Sequence, residues 1–332
     1  MKILVTGGGG FLGRALVGRL LARGDTVRVL TRSAQTGLTQ LGVECLQGDI
    51  ADADTLLHAC AGQEAVFHVA AKAGVWGTYA AFHATNVTGT RNVLESCRAA
   101  GVPFLIYTST PSVVYNGQAL IGADESLPFT CACPCPYPLT KAEAERLVLA
   151  ANGSALRTIA LRPHLIWGVG DPHLVPRVVA QARAGRLLII GNGKNCVDLT
   201  HVDNAVHAHL LALETLKHGT LPGGRAYFIS DGAPVVLWDW INALLARLGA
   251  PPVKHRIGLG PATLLGAAAE LAWRLFRLPG EPPMTRFVAT ELAKDHWFDT
   301  SAARQDLGYT PQVDNAAALN ALVAWLATKN TT

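Results

Sequence analysis

The sequence has no cluster of basic residues and no long hydrophobic run, and each absence excludes a class of protein. The 332 residues carry a formal net charge of +4, but no run of Lys and Arg resembles the basic stripe that binds nucleic acid. The longest uncharged apolar stretch, 257–269, is shorter than the ~20 residues that span a bilayer. Residues 1–5 are too short an apolar run for a signal peptide. We therefore expect a cytoplasmic protein that does not bind nucleic acid.

The sequence also lacks the cysteine spacing of a disulfide framework. Its seven cysteines are an odd number, which fits a reducing compartment. Cys131, Cys133 and Cys135 alternate in a proline-rich loop, where thiolates could bind a metal. No His or Cys pair at finger-like spacing follows them. We therefore expect free thiols and no metal site.

The first half of the chain alternates β-rich and helical segments. This alternation is typical of a doubly wound parallel α/β sheet, the Rossmann fold. A last strand of this series ends at Pro163, and Gly and Pro then interrupt the pattern. The predicted strands are 3–6, 26–30, 43–47, 65–68, 104–108 and 158–162, and the predicted helices between them include 11–23 and 85–100.

The domain boundaries follow from where this alternation weakens. Residues 1–165 would form the nucleotide-binding domain, to which the chain returns near 196–225. Residues 166–195 and 226–330 would form a smaller C-terminal substrate lobe. Half of all residues are hydrophobic and the mean hydropathy is +0.25, which favours a hydrophobic small-molecule substrate or a partner surface.

The segment 257–278 predicts an amphipathic helix of the substrate lobe. Its apolar side could pack against the core of that lobe. Alternatively, it could make a peripheral contact with a membrane or with a lipid substrate. We expect core packing, and the sequence leaves the membrane contact open.

Three glycines that follow the first strand directly form a dinucleotide signature. Gly7 permits a tight turn, Gly10 lets the backbone approach a pyrophosphate, and Gly13 allows the helix to pack closely on the strand. The positive end of the helix dipole favours the phosphate charge. We therefore predict cofactor contacts from Gly7, Gly10, Phe11, Leu12 and Gly13.

No acidic residue ends the second strand, where an NAD-binding fold places a carboxylate on the ribose 2′-hydroxyl. Arg32 and Ser33 stand there instead, and a guanidinium suits a 2′-phosphate. The sequence therefore predicts NADP, used as NADPH, with NAD as the second choice. Asp49 and Ile50 close the third strand, where Asp49 could contact the adenine amine or cap the following turn.

Tyr137 and Lys141 are four residues apart, so they share one face of a helix. A neighbouring ammonium favours the phenolate and should lower the pKa of Tyr137 towards neutrality. Thr110 follows a buried strand and could polarise a substrate carbonyl at the sheet edge, with Ser112 as the second choice. Glu145, further along the helix, is expected on its exposed side.

Together these motifs resemble the extended short-chain dehydrogenase/reductases. Three further stretches, 71–77, 108–113 and 280–287, are similar to the 3β-hydroxysteroid dehydrogenase group and particularly to the bacterial 2-alkyl-3-oxoalkanoate reductases of long-chain olefin biosynthesis. The resemblance implies a catalytic triad of Thr110, Tyr137 and Lys141. It also implies cofactor contacts from Tyr137, Lys141, His68, Ala70, Asn86 and Pro163.

The implied activity is the NADPH-dependent reduction of the 3-oxo group of a lipid-like 2-alkyl-3-oxo acid. Trp76, Tyr79, Trp167 and the segment 257–278 would shape an apolar pocket. The alternatives are a 3β-hydroxysteroid or sterol dehydrogenase with or without decarboxylation, a sugar-nucleotide epimerase, and a nucleotide-sensing protein without catalysis. The resemblance further suggests a homodimer paired through helices near 85–100 and 137–152, and membership of a multienzyme assembly.

Overall fold

A computed structural model of the chain describes residues 1–172, 174–219 and 223–329. The strands are β1 (Lys2–Thr6), β2 (Thr26–Thr31), β3 (Glu44–Gln47), β4 (Ala65–His68), β5 (Phe104–Thr108), β6 (Leu120–Ala123), β7 (Arg157–Pro163), β8 (Ile166–Trp167), β9 (Ile189–Ile190), β10 (Cys196–Val197), β11 (Thr200–His201), β12 (Arg225–Ile229), β13 (Val235–Val236), β14 (Arg256–Ile257) and β15 (His296–Phe298).

The helices are α1 (Phe11–Ala22), α2 (Thr36–Thr39), α3 (Ala53–Cys60), α4 (Tyr79–His83), α5 (Gly89–Ala99), α6 (Pro136–Ala150), α7 (Leu174–Arg183), α8 (Val202–His218), α9 (Leu237–Arg247), α10 (Leu259–Leu275), α11 (Arg286–Glu291), α12 (Ser301–Leu307) and α13 (Asn315–Lys329). A single π-helical turn, Ala84–Thr88, leads into α5. A 3₁₀ turn, Pro111–Val114, follows β5.

Seven parallel strands form the central sheet in the order β3-β2-β1-β4-β5-β7-β12. The chain first moves outward from β1 to β3 and then crosses back to β4 on the other side of β1. This reversal creates a crevice at the carboxyl ends of β1 and β4, where Thr6 pairs with His68. Such a switch point is where doubly wound folds bind ligands. The predicted Rossmann architecture is confirmed.

The strands are buried on both faces because helices cover each side of the sheet. Side chains of a strand alternate between the two faces, and β1 shows this directly. Ile3 and Val5 pack with Leu16 of α1 on one face, whereas Leu4 packs with Val93 of α5 on the other. Ile3, Leu4 and Val5 are all fully buried.

Helix α8 and strand β12 return the chain to the central sheet. Helix α8 packs on it, and β12 pairs with β7 from Arg225 to Ile229. The expected start of the C-terminal lobe at 226 therefore falls inside a strand, because Tyr227 and Ile229 belong to the sheet core. Helix α12 also packs here, through Ala303. Residue 330, the expected end of the lobe, lies outside the described residues.

The C-terminal lobe has its own hydrophobic core, built mainly from α7, α9 and α13. Trp167 and Trp238 are its largest fully buried side chains. Trp167 was expected to shape a substrate pocket, but it is 1% exposed and its indole donates a hydrogen bond to Asp231. Within the described part of the chain, no helix is both long and apolar enough to cross a bilayer.

Candidate active site

A cleft of about 540 Å³ opens at the carboxyl ends of the central strands. It brings together fourteen of the sixteen predicted site residues, which come from distant parts of the sequence. The two others, His68 and Asn86, do not line it. The predicted residues in its wall are Gly7, Gly10, Phe11, Leu12, Gly13, Arg32, Ser33, Asp49, Ile50, Ala70, Thr110, Tyr137, Lys141 and Pro163.

The glycine turn between β1 and α1 leaves no room for side chains. Gly7 has φ +73°, and a Cβ there would lie 2.8 Å from the Cα of Ala70. A Cβ on Gly13 would lie 2.3 Å from the carbonyl oxygen of Gly7. Gly10 caps α1 without a side-chain hydrogen bond, so the first N–H groups of the helix have no side-chain acceptor. The turn therefore fits the pyrophosphate of a dinucleotide.

Arg32 and Ser33 lie at the far end of the cleft, beyond β2. Arg32 is exposed, and no described residue pairs with its guanidinium. Gln35 also lines the cleft, and its amide donates to the Ser33 hydroxyl at 3.2 Å. The same Gln35 accepts a hydrogen bond from Arg14 at 2.8 Å. This end of the cleft therefore carries positive charge, and β2 does not end in a carboxylate.

His68 lies behind the cleft wall, at the end of β4. Its ring is fully buried and hydrogen-bonded to Thr6 at 2.8 Å and to Thr90 at 3.0 Å. Burial, and next the charge of Lys141, lower the pKa of His68 to about 3, so the imidazole is neutral. The side chain joins β1, β4 and α5 beneath the switch point.

Asn86 also lies behind the wall and shapes a loop that lines the cleft. Its amide oxygen accepts from the backbone N–H of Lys72 at 2.7 Å, and its amide nitrogen donates to the Lys72 carbonyl and to Thr140. Asp49 does line the cleft, and one carboxylate oxygen accepts from the backbone N–H of Ala51 at 2.9 Å. That contact is the capping role foreseen for Asp49.

Thr110 and Tyr137 meet in the cleft although they come from different elements. Tyr137 stands in the first turn of α6, and the Thr110 side chain is near enough to act on the pKa of its phenol. The Thr110 hydroxyl also accepts from the backbone N–H of Ser112 at 3.3 Å, which caps the 3₁₀ turn. Ser112 itself does not line the cleft. Thr110 is therefore the hydroxyl placed beside Tyr137.

Lys141 lies one helical turn after Tyr137 and is 2% exposed. Its Nζ donates to the carbonyl oxygen of Thr108 at 2.7 Å and lies 4.1 Å from the ring centre of Tyr107. Burial lowers the pKa of Lys141 to about 7, although the carboxylate of Glu145 opposes this shift. The lysine can therefore exchange a proton near neutral pH.

Burial raises the pKa of Tyr137 to about 12, and the nearby Thr110 side chain opposes the shift only in part. The sequence suggested the opposite direction, through the charge of Lys141. Burial dominates because it penalises the phenolate. At neutral pH Tyr137 is therefore protonated, which is the form of a proton donor.

Glu145 continues the face of α6 that carries Tyr137 and Lys141, since the three residues are spaced by four. Its expected exposure is wrong: the side chain is fully buried. Arg162 of β7 donates to Glu145 Oε1 at 2.6 Å through Nη2, and to Oε2 at 3.2 Å through Nε. Ser109 also donates to this carboxylate. The contacts attach α6 to the ends of β5 and β7.

Known proteins that resemble the chain agree with this geometry. Residues 4–259 match the model of the 3-beta hydroxysteroid dehydrogenase/isomerase family. The chain belongs to this family. Its members are NAD(P)-dependent oxidoreductases, and this chain is therefore an enzyme of that class. The predicted resemblance is confirmed.

Two relatives in the 3-beta hydroxysteroid dehydrogenase/isomerase family align over almost the entire chain. The 2-alkyl-3-oxoalkanoate reductase of Stenotrophomonas maltophilia (strain K279a) is 50% identical over 327 residues, covering 98% of this chain and 99% of that protein. The enzyme of the same name from Shewanella oneidensis is 44% identical over 330 residues, covering 97% and 85%. A solved structure, the dTDP-glucose 4,6-dehydratase DesIV of Streptomyces venezuelae with NAD and TYD bound, superposes with TM-score 0.78 at 26% identity over 100% of this chain and 98% of that one.

Sequence analysis missed several residues that line the cleft of this chain, including Gln35, Thr85 and Leu165. Leu165 has φ +40°, a strained conformation for a side chain other than glycine. No local motif marks these three residues. Glu145 could have been predicted from the sequence, because the four-residue spacing of Tyr137 and Lys141 continues to it.

Replacement of Arg162 by Met should lower the free energy of unfolding by about 3–5 kcal/mol, because Glu145 would remain buried without its cation. Denaturant unfolding of the purified protein measures this change. Glu44→Gln is the matched control, since the exposed Glu44 pairs with Arg28 at the surface and its loss should cost less than about 1 kcal/mol. Equal effects of the two substitutions would show that the buried pair adds no special stability.

Proposed function

We propose that this protein uses NADPH to reduce the 3-oxo group of a 2-alkyl-3-oxo acid to the 3-hydroxy acid. The observation that carries the proposal is that Thr110, Tyr137 and Lys141 line the same cleft as the glycine turn, where burial raises the pKa of Tyr137 and so favours its protonated form. The two relatives that align over nearly the whole chain are both named for a reductase of 2-alkyl-3-oxoalkanoates. Both lines of support point to carbonyl reduction.

The reaction adds a hydride to carbon 3 and a proton to the carbonyl oxygen. A bound nicotinamide dinucleotide supplies the hydride. Thr110 donates a hydrogen bond to the carbonyl oxygen and so stabilises its developing negative charge. Tyr137 transfers its phenolic proton to that oxygen as the C–O bond loses its double-bond character. The product is a neutral secondary alcohol.

Lys141 restores the proton that Tyr137 gives up. Burial lowers the pKa of Lys141 to about 7 and raises that of Tyr137 to about 12, so the phenol holds a proton more tightly than the amine does. The bond from Lys141 to the Thr108 carbonyl holds the ammonium one turn from the phenol. Glu145 favours the charged lysine through its carboxylate.

The cleft wall includes several apolar side chains, which suit a lipid-like substrate. Val69, Ala71, Ala73, Leu165 and Ile166 line it together with the triad. A sugar nucleotide would need charged or polar groups to hold its diphosphate. Small and branched apolar side chains instead fit the alkyl chains of a fatty 3-oxo acid.

The preference for NADP rests on the end of β2. The strand ends at Thr31, and Arg32 and Ser33 follow it in the cleft wall. The exposed guanidinium of Arg32 is available for phosphate oxygens, whereas no carboxylate is present there to accept from a ribose 2′-hydroxyl.

Replacement of Tyr137 by Phe should lower kcat for a 2-alkyl-3-oxo acid by about 100- to 10,000-fold, because the variant has no proton to donate. Consumption of NADPH, followed by absorbance, measures the rate, while fluorescence titration should show unchanged cofactor binding. Tyr309→Phe is the control: it removes one buried hydrogen bond to the Ser230 carbonyl, away from the cleft, and should keep its activity. A Tyr137→Phe variant with near-normal kcat, or a wild-type protein that turns over sterols with NAD but no 3-oxo acid, would refute the proposal.

Replacement of Arg32 by Ala should weaken NADPH binding by about 10- to 100-fold, the value of a charge-assisted hydrogen bond or two. NADH binding should change little, because it has no 2′-phosphate. Titration of the same protein with both cofactors gives an internal control. An equal loss for NADPH and NADH would assign Arg32 to another role.

A further inference from the structure

Helix α10 exposes a continuous row of leucine side chains. Leu264, Leu271 and Leu275 are 73%, 66% and 69% exposed, and Phe276 directly after the helix is 68% exposed. Leu264, Leu271 and Leu275 are separated by seven and four residues, so they follow one face of the helix. Leu278 lies beyond the helix end, after Arg277, whose φ is +49°. We call Leu264, Leu271, Leu275 and Phe276 the leucine face. An apolar face of this length on a globular protein indicates a contact surface.

The opposite side of α10 is fixed to the lobe, so the leucines are held outward. A Cβ on Gly266 would lie 2.7 Å from the backbone of Thr285, which shows how closely the helix approaches that segment. Glu270 is buried and accepts from the backbone N–H of Arg286 at 2.8 Å and from its Nε at 2.9 Å. The exposure of the leucine face therefore does not come from a loosely attached helix.

The charge around the leucine face is positive. Residues 251–280 contain one acidic residue, Glu270, and Arg286 pairs with it at 2.8 Å. Lys254, Arg274 and Arg277 of the same segment are exposed. Glu281, directly after this segment, is exposed but pairs with Arg177 at 2.7 Å. An apolar helix face flanked by unpaired cations has the chemistry that binds an anionic lipid surface.

Helix α10 also contacts a loop that contributes to the cleft wall. The guanidinium of Arg274 lies 5.4 Å from the ring centre of Trp76. Trp76 belongs to the loop 71–77, of which Ala71 and Ala73 line the cleft. The thiol of Cys135, two residues before Tyr137, donates to the Gly74 carbonyl of that loop. Helix α10 thus contacts the loop that forms one wall of the catalytic cleft.

We propose that the leucine face of α10 docks this protein on an anionic lipid bilayer. The leucine side chains enter the boundary between head groups and acyl chains, and Arg274 and Arg277 contact the lipid phosphates. The helix lies along the surface rather than across it. The loop 71–77, which contributes to the cleft wall, then lies beside the lipid, which would give a lipid-like substrate a path to the cleft that holds Tyr137. This last step rests on the proposed function, whereas the docking does not.

Co-sedimentation with vesicles tests the docking. The full-length protein should bind vesicles that contain phosphatidylglycerol about 10-fold or more tightly than vesicles of phosphatidylcholine alone, because each arginine near an anionic surface contributes about 1 kcal/mol. The double substitution Leu271→Gln with Leu275→Gln should reduce binding to both kinds of vesicle by at least about 10-fold, since burial of each leucine is lost. Arg277→Gln should reduce binding only to the anionic vesicles.

Leu41→Gln is the matched control, because Leu41 is a 63% exposed leucine outside α10. This variant should bind vesicles as the wild type does. Circular dichroism checks that every variant is folded. Sedimentation velocity tests whether the leucine face instead binds a second copy of the chain. If the wild type is a dimer and the double variant a monomer while vesicle binding is unchanged, the face is a dimer interface and the proposal is wrong. Failure of the wild-type protein to bind either vesicle also overturns it.

Oxidation of NADPH by a short, water-soluble 2-alkyl-3-oxo acid separates this inference from the proposed function. The double variant should retain that activity, because its two leucines lie outside the cleft. If the wild type binds vesicles but reduces no 3-oxo acid, the docking stands and the proposed function fails. If it reduces the acid but does not bind vesicles, the reverse holds.

Discussion

The ion pair between Glu145 and Arg162 is the interaction on which the active site depends. Both side chains are almost completely buried, and a charge in such a place is tolerated only when it is paired and hydrogen-bonded. The pair connects α6 with β7, and Ser109 adds the end of β5. Because Ser109 lies between Thr108 and Thr110, this one carboxylate fixes the strand end that contacts Lys141 and Tyr137.

Burial gives the two catalytic groups opposite proton preferences. It disfavours the charged form of each, so Tyr137 keeps its proton and Lys141 releases one readily. Groups whose environments separate their pKa values in this way are suited to successive proton-transfer steps. In the proposed reaction, Tyr137 would be the proton donor at the reacting oxygen and Lys141 the source of the proton that restores it.

The sequence predicted the parts of the site that depend on local structure. Gly7 and Gly13 mark a turn in which side chains do not fit, and the spacing of Tyr137 and Lys141 places them on one helix face whatever surrounds the helix. The sequence wrongly predicted that Glu145 is exposed, because a glutamate in the middle of a helix usually faces water. Its burial depends on Arg162, a partner from another strand that only the folded chain brings near.

Long-range contacts also explain why the sequence misplaced the domain boundary at residue 226 and assigned Trp167 to a pocket. Strand β12 follows loop-rich sequence, and its place beside β7 is a long-range pairing that no local pattern marks. Trp167 has the composition of a pocket residue but packs with Trp240 and His201 inside the C-terminal lobe. His68 and Asn86 stand in the expected segments, yet they support the cleft wall from behind.

The central claim is that the cleft transfers a hydride to carbon 3 of a 3-oxo acid. NADPH carrying deuterium at both positions of nicotinamide carbon 4 tests it directly, because the product can be analysed by mass spectrometry after one turnover. We expect a 3-hydroxy acid with a single deuterium, bound to carbon 3. A 3-hydroxy acid without deuterium, or no reduction of any 2-alkyl-3-oxo acid under conditions where the protein binds NADPH, would contradict the account.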